Sequence, residues 1–390
     1  MFVDNIEITQ TGSDTRVSAA VAGEAVWFEL PTEHFRGSVA DALACFAFLP
    51  AMAQAPEQAP VTLSMPKDYP VSSRLLHAIP SQQDTFAAWG SPLQRFAMDT
   101  SRHSEARSDD RVASSFSGGV DSLFTAHTRS QEITHLVHIQ GYELRLDQDP
   151  EEAGIPRIKD LAERLGKELI VVRTNALAVS QTLKIQRLLI FGCFMATVAH
   201  LVGASRFYVP SGSPLSSMAN NGSSAFTDSK WSSESVELVH DINNFDRIEK
   251  MRQVSEFGYL DGVVVCQRRF DRNCCRCIKC VRTMIGIELQ GLNRESFSDE
   301  LTPQLIRSLS PLNGKVDREL FGRYLSLGRQ VHRHDLVRAM IYAEMRYRLT
   351  GVVKDIYHLA DDFLFGGRIR ARREARPTKQ TDRWFHIVQK

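Results

Sequence analysis

The sequence predicts an α/β protein: a parallel sheet with helices on both faces, an α+β appendage before it and a helical region after it. Three observations lead there. Between about residues 110 and 290, short apolar runs alternate with helix-length amphipathic segments, a pattern that implies right-handed βαβ units. The first apolar run ends in paired glycines at the head of a helical segment, Ser117-Gly118-Gly119-Val120-Asp121-Ser122. Before position 105 the pattern changes to alternating strand-like runs punctuated by turn residues such as Thr11-Gly12-Ser13-Asp14.

Taken in order, Val3–Thr9, Arg16–Val21 and Ala25–Leu30 read as strands, and segments around Val39–Leu49 and Ser72–Ile79 as helices. Val112–Phe116 is the first strand of the parallel sheet and Ser122–Ser130 its helix. His135–Ile139, Glu168–Val172 and Arg206–Val209 continue the sheet, with helices over Pro150–Leu165 and Leu183–Val202 between them. Pro210 to Ser233 is rich in Ser, Gly and Asn, and a loop of that length directly after a strand reads as a lid over the site or as a plain surface loop, the lid being preferred. Four helical segments follow: Leu301–Leu309, Arg318–Leu327, Asp335–Leu349 and Val352–Phe363. The expected division is 1–105, 106–292, 293–365 and a basic tail over 366–390.

The chain has 390 residues, 43% hydrophobic and 24% charged, with 47 Lys and Arg against 46 Asp and Glu. Those proportions exclude a fibrous or wholly disordered chain. A net charge of +1 leaves no global field to draw nucleic acid. The tail is strongly basic, with seven Arg or Lys against two acids from Gly366 to Arg383. It reads as a solvated tail or as a contact for RNA or an acidic partner. The N-terminus lacks a signal-peptide pattern and no apolar run reaches membrane-spanning length, so a cytoplasmic protein is expected.

Five of the seven cysteines fall between positions 266 and 280. In a reducing compartment such clustering argues for metal rather than disulfides. Cys266, Cys274, Cys277 and Cys280 are spaced to close on one tetrahedral ion, with Cys275 to spare. All-thiolate ligation favours Zn²⁺ in a closed structural site, with an iron–sulfur cluster as its rival.

A fixed Ser-Gly-Gly-x-Asp-Ser arises by chance in roughly one chain of this length in 2,000. Paired glycines let successive N–H groups point into one concavity, and the following helix adds its positive end. Pyrophosphate fits such a nest, with the hydroxyls of Ser117 and Ser122 as further donors. Asp121 would repel a bare phosphate, so it is assigned to Mg²⁺.

At these residues the sequence resembles the PP-loop ATP pyrophosphatases of the adenine nucleotide α-hydrolase-like (HUP-like) fold, which cleave ATP between the α and β phosphates. The cysteine pattern about 145 residues later looks most like 7-cyano-7-deazaguanine synthases (QueC-like), over roughly residues 110 to 292. The resemblance implies ATP and Mg²⁺ at Ser115, Ser117, Gly118, Gly119, Val120, Asp121, Ser122 and Ile139. It implies Asp121, Arg187 and Lys250 as catalytic residues, the two cations for phosphate or carboxylate oxygens. It implies a small-molecule carboxylate, such as a 7-deazaguanine acid, that is adenylated and then joined to a nitrogen nucleophile as an amide, nitrile or conjugate. The added flanks, and the departure of Ser211 to Ser233 from the family's substrate segment, put that substrate in doubt. Divergent members with added flanks occur in anti-phage defence operons, where a protein or RNA would be the acceptor. An RNA-modifying PP-loop thiolase and a non-catalytic nucleotide-binding subunit remain open alternatives, as does a homodimer.

Overall fold

The computed structural model describes residues 2–54, 61–89, 93–106, 109–141, 154–215, 220–266, 268–269, 271–309, 314–346 and 348–349. The expected helix over Val352–Phe363 and the basic tail lie outside them. The chain divides into two compact units, Met1–Asn273 and Cys274–Lys390.

The first unit is an α/β layer structure on an eight-stranded sheet. Its strands are β1 (Val3–Thr11), β2 (Asp14–Val21), β3 (Glu24–Pro31), β8 (Val112–Ser115), β9 (His135–Gln140), β10 (Glu168–Thr174), β11 (Arg206–Pro210) and β12 (Glu237–Asp241). Their order is β1-β2-β3-β10-β9-β8-β11-β12. β8 to β12 pair in parallel, while the first three strands and the β3–β10 seam are antiparallel. Short strands β4 (Val61–Ser64), β5 (Val71–Ser72), β6 (Phe96–Asp99) and β7 (Arg102–His103) form two small ribbons.

The sheet runs straight across the boundary expected near residue 105. The ladder joins Phe28 and Glu29 to Thr174 and Arg173. Side chains lengthen this seam: Thr174 Oγ1 donates to Trp27 O at 2.7 Å, and Asn175 Oδ1 accepts the Trp27 N–H at 2.8 Å. Glu29 accepts from Arg173 and Arg16 across three strands. The first strands are thus an extension of the main sheet, because β10 would otherwise present an unpaired edge.

The helices of this unit are α1 (Val39–Gln54), α2 (Ser73–Ala88), α3 (Val120–Thr128), α4 (Ile155–Arg164), α5 (Ala176–Thr182), α6 (Arg187–Val202) and α7 (Arg247–Glu256). α1 and α6 are apolar on nearly every side and pack against each other, with Phe46 stacked on Phe194 at 5.9 Å. Each such buried side chain contributes about 2 kcal/mol. α5 joins α6 in that layer, while α3 packs against α7 on the opposite face. The long helix expected from Leu183 starts only at Arg187, because Lys184 adopts a left-handed conformation (φ +58°) between α5 and α6.

The lid expected over Pro210–Ser233 is corrected for its described part. Ser223, Ser224, Thr227, Asp228, Trp231, Ser232 and Ser233 are buried. Gly222 lies so close to α6 that a Cβ on it would meet Leu189 O at 1.7 Å. The hydroxyls that suggested a loop are internally satisfied: Ser223 Oγ donates to Asp228 Oδ2 and Ser224 Oγ pairs with Thr227 Oγ1. His240 Nδ1 meets the same Asp228 oxygen at 2.8 Å.

The second unit is helical: α8 (Ile278–Gln290), α9 (Pro303–Arg307), α10 (Gly314–Gln330) and a helix over 334–346. Arg333 pairs with both Glu288 and Asp335 and fixes the start of that last helix on α8. No described helix is long and apolar enough to cross a membrane.

Candidate active site and metal centre

β8 is where the sheet changes direction. β9 and β10 lie in sequence on one side of it, and the chain then returns to place β11 and β12 on the other. In an open parallel sheet the crevice beyond the carboxyl ends at such a switch point is the usual ligand position. The Ser117–Ser122 turn occupies the carboxyl end of β8.

Gly118 has φ +67°, and a Cβ there would stand 2.7 Å from Arg157 Nη1 and 2.8 Å from Ile158 Cδ1. Conformation and space both require glycine. Gly119 is the N-cap of α3. The two serines brace the turn: Gly119 N–H donates to Ser117 Oγ and Ser117 N–H to Ser122 Oγ, each at 3.3 Å. Ser122 Oγ donates onward to Gly119 O at 3.1 Å. His138, buried on β9, donates from Nδ1 to Phe116 O at 2.9 Å and holds the entry to the turn. Ser115 and Ile139 end and flank this arrangement on β8 and β9, where Ser115 pairs with Val137 and Ile139 with Val172.

Asp121, in the first turn of α3, meets two cations of α7. Arg247 Nη1 donates to Asp121 Oδ2 at 2.7 Å, and Lys250 Nζ lies 3.7 Å from Oδ1. A spacing of three residues puts both cations on one helix face. A capping box starts that helix: Asp246 Oδ1 accepts the N–H groups of Ile248 and Glu249, and Glu249 Oε2 accepts that of Asp246. Lys250 is 0% exposed and donates to Ser211 O at the end of β11 at 2.5 Å. Its burial pushes the ammonium below the ordinary lysine value, Asp121 opposes that, and Arg247 adds to it. Asp241, the last residue of β12, accepts from Thr125 Oγ1 at 2.7 Å and Arg129 Nε at 3.2 Å, tying that strand end to α3.

The structure therefore brings together Ser117–Ser122, Asp121 and Lys250. Arg187 opens α6, in the layer across the sheet from α3 and α7, with its helix start toward the carboxyl edge. Two cations escaped the sequence reading. Arg247 stands three positions before a residue that was singled out. Arg157, half-buried, lies against Gly118 and donates to Gly262 O at 2.9 Å, and desolvation pushes its guanidinium down to about 10. No local pattern marks Arg157 out from a solvated helical arginine.

The sulfurs of Cys266, Cys274, Cys277 and Cys280 all lie within 4.8 Å of one another. Tetrahedral ligation at a Zn–S distance of ~2.3 Å places sulfurs ~3.8 Å apart, and Cys274 and Cys280 stand at 4.0 Å. Backbone N–H groups point at the sulfurs: Arg268 and Arg269 at Cys266, Cys277 at Cys274, and Cys280 at Cys277, from 3.2 to 3.5 Å. Such donors stabilise thiolates. The left-handed Cys275 (φ +55°) makes the turn and sends its own sulfur to 3.9 Å from Ser298 Oγ, outside the ligand set. None of the seven cysteines, all of them described, is in a disulfide. This buried four-cysteine cluster is fit to hold a metal such as zinc. Neither a family model nor a curated protein sequence matches this chain.

Proposed function

We propose that the chain is an ATP-dependent, AMP- and pyrophosphate-forming ligase of the PP-loop type, most like 7-cyano-7-deazaguanine synthase. The observation that carries this reading is Asp121 in the braced Gly118–Gly119 turn, at the sheet's switch point, with Arg247 and Lys250 in contact with it.

On this reading a substrate carboxylate oxygen attacks the α-phosphorus of ATP. The bond from that phosphorus to the bridging oxygen breaks, and pyrophosphate leaves into the turn. A nitrogen nucleophile then displaces AMP from the acyl carbon to give an amide or conjugate; a nitrile would need a second ATP, with the primary amide's oxygen adenylated and leaving with AMP as the nitrogen gives up its two protons. The amides of the turn and the start of α3 would face the departing phosphates. Mg²⁺, which Asp121 would hold, supplies charge neutralisation when bound. Arg247 and Lys250, which lie against Asp121, would supply positive charge to phosphate oxygens. Positioning and charge then account for most of the rate. The cysteine cluster, with four thiolates and no open position, suits a structural Zn²⁺.

The test is to offer ATP with candidate acids such as 7-carboxy-7-deazaguanine and to resolve the nucleotide products. AMP with equimolar pyrophosphate is expected. ADP and inorganic phosphate would overturn the reading.

A further inference from the structure

At the opposite, amino edge of the sheet, three side chains converge from separate elements. His34 lies in the turn after β3, while His135 and Glu168 open β9 and β10 and pair directly across the ladder. His34 Nε2 is 3.1 Å from Glu168 Oε1, and His135 Nε2 is 3.1 Å from Glu168 Oε2. One ligand atom from each lies within 4.8 Å of the others. We propose that His34, His135 and Glu168 form a second metal site, for a divalent first-row cation of the zinc type.

The donor set is the two-imidazole, one-carboxylate combination that such cations accept. Both imidazole side chains are largely buried, at 8% and 16% exposure, while the carboxylate is 57% exposed and leaves an entry path. Burial also holds both rings below the ordinary histidine value, which favours the neutral, ligating form. The hydrogen bonds around His135 accommodate either state. Thr134 Oγ1 lies 2.7 Å from His135 Nδ1 and 3.0 Å from Val112 O. With its hydroxyl hydrogen on His135 Nδ1, Nε2–H faces Glu168. With that hydrogen on Val112 O, Thr134 accepts Nδ1–H and the Nε2 lone pair is presented to a cation. Among the described residues His34 Nδ1 has no hydrogen-bond partner, which makes His34 the weaker ligand. Arg111 and Arg36 oppose a cation here, while Glu33, Asp109 and Glu168 favour one. The site is independent of the proposed ligase chemistry, being at the other end of the strands. It would pin three elements together rather than act on a substrate.

The experiment is Co²⁺ titration of the full chain, which separates the two sites by colour. Thiolate ligation gives intense charge-transfer absorption, and imidazole–carboxylate ligation gives weak bands alone. Two equivalents are expected for the wild type. His135→Ala and the shape-preserving Glu168→Gln should each bind one, with the thiolate absorption unchanged. Uptake of a single equivalent by the wild type, or of two by both variants, would overturn the proposal.

Discussion

The turn at Ser117–Ser122 and the knot at Cys266–Cys280 are both braced by backbone N–H donors, to serine hydroxyls in the turn and to sulfurs in the knot, yet they are built differently. In the knot the ligands and the donors that steady them come from fifteen consecutive residues. In the turn the backbone is local, but the cations facing Asp121 come from α7, more than 120 residues on. A self-contained site depends on its own spacing. An assembled site depends on the sheet order that brings β8, β11 and α7 together.

That contrast can be broken first at the knot. Cys277→Ser removes a ligand and the sulfur that caps α8. Zinc sites contribute on the order of 10 kcal/mol of binding energy to the folded state. The expected outcome is loss of bound zinc and a large fall in melting temperature, read by metal analysis and calorimetry. A variant that kept its metal and its stability would detach the cysteines from folding.

At the turn, Asp121→Asn keeps the shape and removes the charge. On the proposed function, turnover of ATP to AMP should fall by about 10²- to 10³-fold. The fold should persist at a cost of about 3 kcal/mol, because Arg247 and buried Lys250 lose their counter-charge. Unchanged turnover would separate the carboxylate from the chemistry. Gly118→Ala sharpens the same point through the backbone. The left-handed conformation and the contact with Arg157 should together cost about 2 kcal/mol, measured by urea denaturation, and weaken nucleotide binding.

The smallest effect is in pH dependence. Lys250 has a lower pKa folded than unfolded, so the folded state sheds its proton first. Unfolding free energy should then rise with pH between that lowered value and the unfolded lysine value of about 10.4. Lys250→Met should remove this rise, as seen by denaturation at pH 8 and pH 10. An identical rise in the variant would assign it to another group.

What could be read in advance follows the same division. The strands before residue 31 and the parallel strands up to β11 carry their own apolar runs, and they form close to the expected bounds. β12 escaped because Glu237, His240 and Asp241 interrupt its apolar residues, although it is no shorter than β11. The cluster of Cys266, Cys274, Cys277 and Cys280 was legible from spacing alone. Arg247, Arg157 and the His34–His135–Glu168 group were not, since only the strand order brings them to their partners. The Ser-rich segment after β11 misled for a physical reason: hydroxyls that satisfy one another can be buried, and composition alone does not reveal those pairings.

The β3–β10 seam has a practical consequence. Expressing only residues 106 onward would strip away α1 together with the first three strands, uncovering one side of the sheet and baring the backbone row of β10. Such a fragment carries a ready template for intermolecular pairing. It should come out of cells as insoluble material, however intact its Ser117–Ser122 turn.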